Sequence, residues 1–335
     1  MSKKSKNWIA VGLFVLVFGI LLLLASLFDF QISQLLTAHA LEGHTYITND
    51  DAFAVVMEIL GSAPAELMIS LAFCIIFWYA QYFWTGAKKY VWASLMLVFN
   101  VISNYVLASD VMSYVRQHLF LNPDPDYAGG AWLKVFYVFV GLFLTALEVL
   151  AVKNVPKEQI QKLLGFSVAV IVLIAIPNIL INLGIKAYVG RIRYRAMNMY
   201  PDNADYGYAA FANWYEVNGQ WLDDVQKTKL FGNTDALKSF PSGHTCAAGM
   251  SYGLIMLNDA LGIKNKKVRT LLWIIPIVIT GAVAVSRIIV GAHFMSDVLI
   301  GGTMSFLTML LVREIFVCKG SNVKAMFGKE EKSAA

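Results

Sequence analysis

The sequence predicts an all-α integral membrane protein of about eight transmembrane helices, and three observations carry that prediction. The 335-residue chain is 58% hydrophobic and 15% charged, with a mean hydropathy of +0.61; a soluble domain of this length is less apolar and more charged. Its apolar residues gather into runs of about 20, the length of helix that crosses a bilayer. The alternating segments of a transmembrane β-barrel are absent from the sequence.

The elements follow in order. The first apolar run, Trp8–Phe28, comes after Lys3, Lys4 and Lys6. It is too long for the apolar part of a cleaved signal and lacks an Ala-x-Ala site, so it reads as an uncleaved signal anchor. Pro64–Trp84, Tyr90–Ser109 and Trp132–Ala151 follow, then Leu164–Leu183, Ser242–Leu261, the short Thr270–Val285, and Asp297–Val312, which begins polar. Three connections are longer: 29–63, 110–131 and 186–241. Cys74, Cys246 and Cys318 form neither a disulfide framework nor a zinc spacing. One membrane-embedded domain is expected, with a motif-bearing core over about 164–312 and additional N-terminal spans over 8–151.

Lys and Arg set the orientation, because cytoplasmic loops hold most of them. With the N-terminus inside, 17 of the 27 Lys and Arg fall on the inner side and 16 of the 22 Asp and Glu on the outer side. That arrangement puts both termini in the cytoplasm of a multi-pass cell-membrane protein. The net charge of +5 then reports topology rather than nucleic-acid binding.

The same orientation gathers three polar strings on the outer side: Lys186 to Arg193, Pro241-Ser242-Gly243-His244, and Ser286-Arg287 to His293 to Asp297. Ionisable residues at membrane-helix ends are costly and mark function. His293 and Asp297 are four apart, so one helical face presents both. A carboxylate bonded to one ring nitrogen would fix the tautomer and leave the other nitrogen to attack. Arg287 can grip phosphate oxygens bidentately. At the start of the Ser242–Leu261 span, exposed backbone N–H groups suit an anion and Gly243 admits it closely. His244 can serve there as general acid and then as base. Lys186 reads either as a snorkelling interfacial lysine or as a phosphate ligand. Arg191, Arg193 and Arg195 on the outer side run against the positive-inside bias, which favours a specific anion. The 186–241 segment carries Tyr194, Tyr200, Tyr206, Tyr208, Phe211, Trp214, Tyr215, Trp221, Phe231 and Phe240, as an interfacial belt, a cap over the site, or both. His39, His44 and His118 read as ordinary loop histidines. Glu148, alone in its span, reads as a helix-end or packing residue.

These strings resemble the type 2 phosphatidic acid phosphatase family, which shares its site with the vanadium haloperoxidases. The family pattern is Lys-x6-Arg-Pro, Pro-Ser-Gly-His, and Ser-Arg-x5-His-x3-Asp. The second and third strings match in full; in the first, Tyr194 stands where proline is expected, so that Arg191 or Arg195 could share the role of Arg193. The resemblance implies that His293 is the nucleophile and forms a phosphohistidine, that Asp297 orients it, and that His244 protonates the leaving oxygen. It implies that Lys186, Arg193, Ser242, Gly243 and Arg287 hold the phosphate, with Arg191 and Arg195 as possible accessories. No metal or other cofactor is expected. The expected partners are a lipid phosphate or polyprenyl diphosphate and the bilayer, with no nucleic acid. A lipid phosphotransferase and an anionic-lipid transporter are the competing functions.

Overall fold

The computed structural model describes residues 3–37, 51–119 and 130–327, and these form helices and loops with no strand among them. The N-terminal half holds α1 (Lys3–Thr37), α2 (Ala52–Leu60), α3 (Ala63–Phe83), α4 (Gly86–Leu119) and α5 (Ala131–Lys153). Asp51 caps α2 by accepting from the Ala54 N–H at 2.7 Å, and Pro64 sits in the first turn of α3, where a missing N–H costs nothing. Glu148 accepts from Ser70 Oγ and from Asn100 Nδ2, each at 2.6 Å, and so joins α3, α4 and α5. The packing role expected of Glu148 is what the structure shows.

The second half begins with α6 (Lys157–Ile179), which continues as a π-helical turn over Leu180–Ile185 and a short α7 (Lys186–Val189). Pro177 lies inside α6 and has no N–H to give, and the hydrogen-bond ladder widens just after it. Across the loop lie α8 (Tyr194–Asn198) and α9 (Asp224–Phe231). Next come α10 (Gly243–Gly249) and α11 (Gly253–Ala260), joined by a 3-10 turn, then α12 (Lys266–Ile289), α13 (Met295–Val312) and α14 (Ser321–Phe327).

Seven helices among the described residues are long and apolar enough to cross a membrane. The expected span Ser242–Leu261 is present as the pair α10–α11, broken at Met250–Tyr252, so it does not count as one long helix. Gly249 and Gly253 flank that break. A Cβ on Gly249 would lie 2.9 Å from Ser305, and one on Gly253 would lie 2.2 Å from Met68. The interruption therefore lets α10 and α11 press against α13 and α3.

The main core fills the space between α3, α6, α10–α11 and α13, with Ala72, Leu173, Cys246, Met256 and Met309 fully enclosed. Large apolar side chains such as Leu13 and Leu23 on α1 and Phe139 and Phe143 on α5 point outward, as lipid-facing residues do. A second core lies in the 186–241 loop, where Ile192, Tyr194, Met197, Phe231 and Leu237 pack with Phe294. Most of the loop's aromatics pack on one another or on Phe294: Tyr194 stacks on Tyr208 and Trp214 on Phe240, while Tyr200 meets Phe231 and Phe211 meets Phe294 edge-on. They build a small folded cap, and Tyr215 and Trp221 remain exposed on it.

Candidate active site

The three polar strings meet at one end of the bundle. Helix α12 ends at Arg287–Ile289, and Gly291, at φ +62°, reverses the chain; only glycine adopts that backbone without strain. The N–H groups of Ala292 and His293 both return to the Arg287 carbonyl, at 3.1 and 3.2 Å. That turn sets His293 immediately before α13. The Asp297 carboxylate accepts from the Phe294 N–H at 2.8 Å, a capping contact at the N-terminus of α13. The Ser242 N–H donates to the Asp297 carbonyl at 3.0 Å, which fastens the start of α10 to α13. This approach requires Gly301, since a Cβ there would lie 2.4 Å from the Ser242 carbonyl oxygen.

The expected direct bond between His293 and Asp297 takes a different form. His293 Nδ1 lies 2.5 Å from the Ser239 carbonyl oxygen and 3.8 Å from Asp297 Oδ2. The Ser239 hydroxyl donates to that same Oδ2 at 2.5 Å. A carbonyl only accepts, so Nδ1 carries the proton and Nε2 carries the lone pair. Asp297 reaches the ring mainly through Ser239, because its two oxygens are committed to the α13 amide, Ser239 and Arg191. Burial pushes the His293 imidazole down to about 3; Asp297 pulls the other way, and the positive charges of Arg193 and Lys186 reinforce the drop. The ring is therefore neutral across the physiological range, as a nucleophile requires.

Lys186 turns inward rather than snorkelling away. A Cβ placed on Gly243 would lie 3.0 Å from its Nζ, so the ammonium rests against the start of α10. Arg193 is buried, its backbone N–H bonded to the Ala236 carbonyl at 2.9 Å, and its guanidinium lies 4.0 Å from Asp235. Burial opposes ionisation of Asp235, but Arg193 and Lys238 together hold its carboxyl well below the usual range. His244 packs edge-on against Tyr114, with centroids 5.4 Å apart, and lies within electrostatic reach of Arg287, Glu58, His293 and Lys186. Ser242 is buried, and its hydroxyl accepts from the Thr245 N–H at 3.3 Å as the cap of α10. Arg195 is buried, and its backbone N–H donates to the Gly291 carbonyl at 2.9 Å.

Two further expectations change. Arg191 is no phosphate ligand in this arrangement: fully buried, it donates to the Ala212 carbonyl, Ser296 Oγ, Asp297 Oδ1 and Asp29 Oδ2 at 2.6–3.0 Å and lies over the Phe294 ring. One of its five N–H groups remains beyond these contacts. His118 is no ordinary loop histidine either. Its Nε2 lies 3.0 Å from Glu58 Oε2, and Glu58 Oε1 lies 2.6 Å from Arg287 Nη1. His39 and His44 lie outside the described residues.

Sequence reasoning missed Ser239, Asp29, Glu58 and Tyr114. Asp29 falls one residue beyond the first apolar run and Glu58 lies in an outer connection, and an acid so close to a span was the available signal. Nothing in the spacing pointed to Ser239. Among the described residues no group of three or more His, Cys, Asp or Glu could hold a metal ion.

Residues 163–319 match the family model of the PAP2 superfamily. That segment holds all three polar strings and agrees with the resemblance read from them. It runs from α6 to the turn before α14, leaving α1–α5 outside the match. No curated protein and no solved structure matches the chain.

Proposed function

We propose that this chain, a membrane protein carrying a PAP2 superfamily segment with its phosphatase chemistry on phosphate esters, removes phosphate from a membrane lipid through a phosphohistidine. The observation that carries the reading is the His293 ring, whose Nδ1 proton is held by the Ser239 carbonyl while Lys186 and Arg193 lie close enough to bias its charge. A neutral imidazole with a fixed tautomer beside clustered cations suits attack on a phosphate monoester.

In this mechanism Lys186, Arg193 and Arg287 neutralise the phosphate oxygens. Nε2 forms a bond to phosphorus as the bond to the lipid oxygen breaks, and His244 gives that oxygen a proton. Water then attacks phosphorus, His244 takes its proton, and the N–P bond breaks to release phosphate. The seven bilayer-length helices among the described residues and a cap with exposed aromatics favour a lipid substrate over a soluble one. The lysine and arginine bias supports an outer-leaflet site with both termini cytoplasmic. Phosphatidate, phosphatidylglycerol phosphate and a polyprenyl diphosphate are the candidate substrates.

The test is phosphate release by purified protein from a panel of lipid mono- and diphosphates with chelator present. Release that His293→Ala abolishes is the expected result. Substantial turnover by that variant, or a strict magnesium requirement, would overturn the assignment.

A further inference from the structure

Asp29 stands near the C-terminal end of α1, outside the family-matched segment, yet it is 2% exposed and bonded to the site's supporting shell. Its Oδ1 accepts from the Ser296 N–H at 2.9 Å and its Oδ2 from Arg191 Nη2 at 3.0 Å. The Ser296 hydroxyl also bonds Oδ2. Ser296 Oγ in turn accepts from Arg191 Nη1 at 2.8 Å, which leaves its proton free to bond Asp29. Three donors therefore face this carboxylate, one of them the Arg191 guanidinium, a setting that favours its ionised form.

The charges around His293 then have a definite balance. Arg191 Nη1 lies 2.6 Å from Asp297 Oδ1 and cancels much of that carboxylate's field. Asp29, bound to the other end of the same guanidinium, restores one net negative charge to the Asp297–Arg191–Asp29 set. Resting on the phosphohistidine reading, we infer that Asp29 is a positioning residue for phosphoryl transfer, keeping a negative field on His293 by offsetting Arg191. The field matters at one step. When the Nε2–P bond forms and the P–O bond breaks, Nδ1 keeps its proton and the ring becomes a cation. A net negative set behind Ser239 stabilises that cation, and a neutral set does not.

The experiment measures phosphoenzyme formation on a short-chain phosphatidate by rapid quench, in purified full-length protein. Asp29→Asn keeps the shape and removes the charge. Its phosphorylation rate is expected to fall on the order of ten-fold or more, about the effect of one unit charge at intermediate distance in a partly shielded interior. Its KM stays near wild type, because Lys186, Arg193 and Arg287 are untouched. Adding Arg191→Gln to Asp29→Asn restores the net negative charge and should recover most of the lost rate. A merely structural anchor predicts the opposite, since the second change removes more contacts.

A wild-type rate in Asp29→Asn, or a double variant slower than the single, overturns the inference. If Asp29→Asn alone does not fold, the double variant decides, because it removes Asp29 together with the cation that Asp29 offsets and leaves Asp297 held by Ser239 and the Phe294 N–H. A rate within about ten-fold of wild type supports the charge argument and a larger loss overturns it. Absence of an acid-labile phosphoenzyme in the wild type would instead refute the nucleophile reading, which separates the two failures.

Discussion

Two glycines at the site separate a substrate-binding effect from a structural one. A Cβ on Gly301 would lie 2.4 Å from the Ser242 carbonyl oxygen, a backbone atom whose own N–H is tied to Asp297. Neither chain can yield without moving α10 relative to α13. Ala gains about 1 kcal/mol of helix propensity over Gly, but forcing a methyl into a packed contact costs about 1–3 kcal/mol, and backbone contacts relax least. Gly301→Ala is therefore expected to lose about 1–2 kcal/mol of stability and to lower kcat by shifting His244 against His293. At Gly243 the added Cβ would meet only Lys186 Nζ at 3.0 Å, the far end of a flexible chain. Gly243→Ala should stay within about 0.5 kcal/mol of wild type, while KM rises because the ammonium moves off its place beside α10. Denaturant unfolding in detergent, read beside steady-state phosphate release, measures both. Equal destabilisation by the two variants, or a neutral Gly301→Ala, would refute the geometric argument.

Other predictions follow from single features. The folded His293 titrates near 3 and the unfolded one near its ordinary value of about 6.5. Between those values the unfolded chain binds the extra proton, so stability falls as pH drops through this window; His293→Asn should flatten that part of a pH–stability curve. Arg191→Gln leaves Asp29 and Asp297 buried without their shared cation and should cost about 3–5 kcal/mol in unfolding experiments, whereas Arg193→Gln should chiefly raise KM. A cysteine placed at Asn218 in a cysteine-free background should react with an impermeant thiol reagent in intact cells, and one at Asn265 should not. His244→Ala should slow single-turnover attack on a lipid monophosphate more than on a diphosphate, because an alkoxide needs a proton to leave and a phosphate ester does not; equal losses would contradict the general-acid role.

The membrane helices were legible because bilayer thickness imposes a length on every apolar run. The sixth span was misjudged as one continuous helix because apolar length is blind to the hydrogen-bond ladder. Gly249 and Gly253 trade regular helix for close contact with Ser305 and Met68, and those neighbours are distant in sequence. The same limit explains the histidine. A spacing of four put His293 and Asp297 on one side of the chain. It could not show that Asp297, as the third residue of α13, would spend one oxygen on the Phe294 amide and the other on Arg191. Nor could it show that the segments around Arg191 and Ser239 lie side by side, with the Ser239 N–H bonded to the Arg191 carbonyl at 3.0 Å. Arg191 read as an anion ligand because its charge faced the outside in the topology. Its partners, Asp29 and Asp297, lie 162 and 106 residues away.

The N-terminal helices acquire a purpose from the same long-range pairs. A site built to hold a phosphate concentrates positive charge, and Lys186, Arg193 and Arg287 repel one another when it is empty. Buried cations persist only where carboxylates compensate them. Within the matched segment, Asp235 serves Arg193 and Asp297 serves Arg191. Arg287 is compensated from outside it: Glu58 on α2 lies 2.6 Å from Nη1, and the Ala54 carbonyl of the same helix accepts from Nη2 at 3.3 Å. His118 on α4 holds the other oxygen of Glu58. One N–H on each terminal nitrogen of Arg287 lies beyond these contacts, and in the proposed mechanism these two, aimed by a carboxylate and a carbonyl of α2, face the phosphate. Helices α1 and α2 therefore belong to the electrostatic design of the site, and a chain truncated to residues 163–319 would hold the motifs without the charges that balance them.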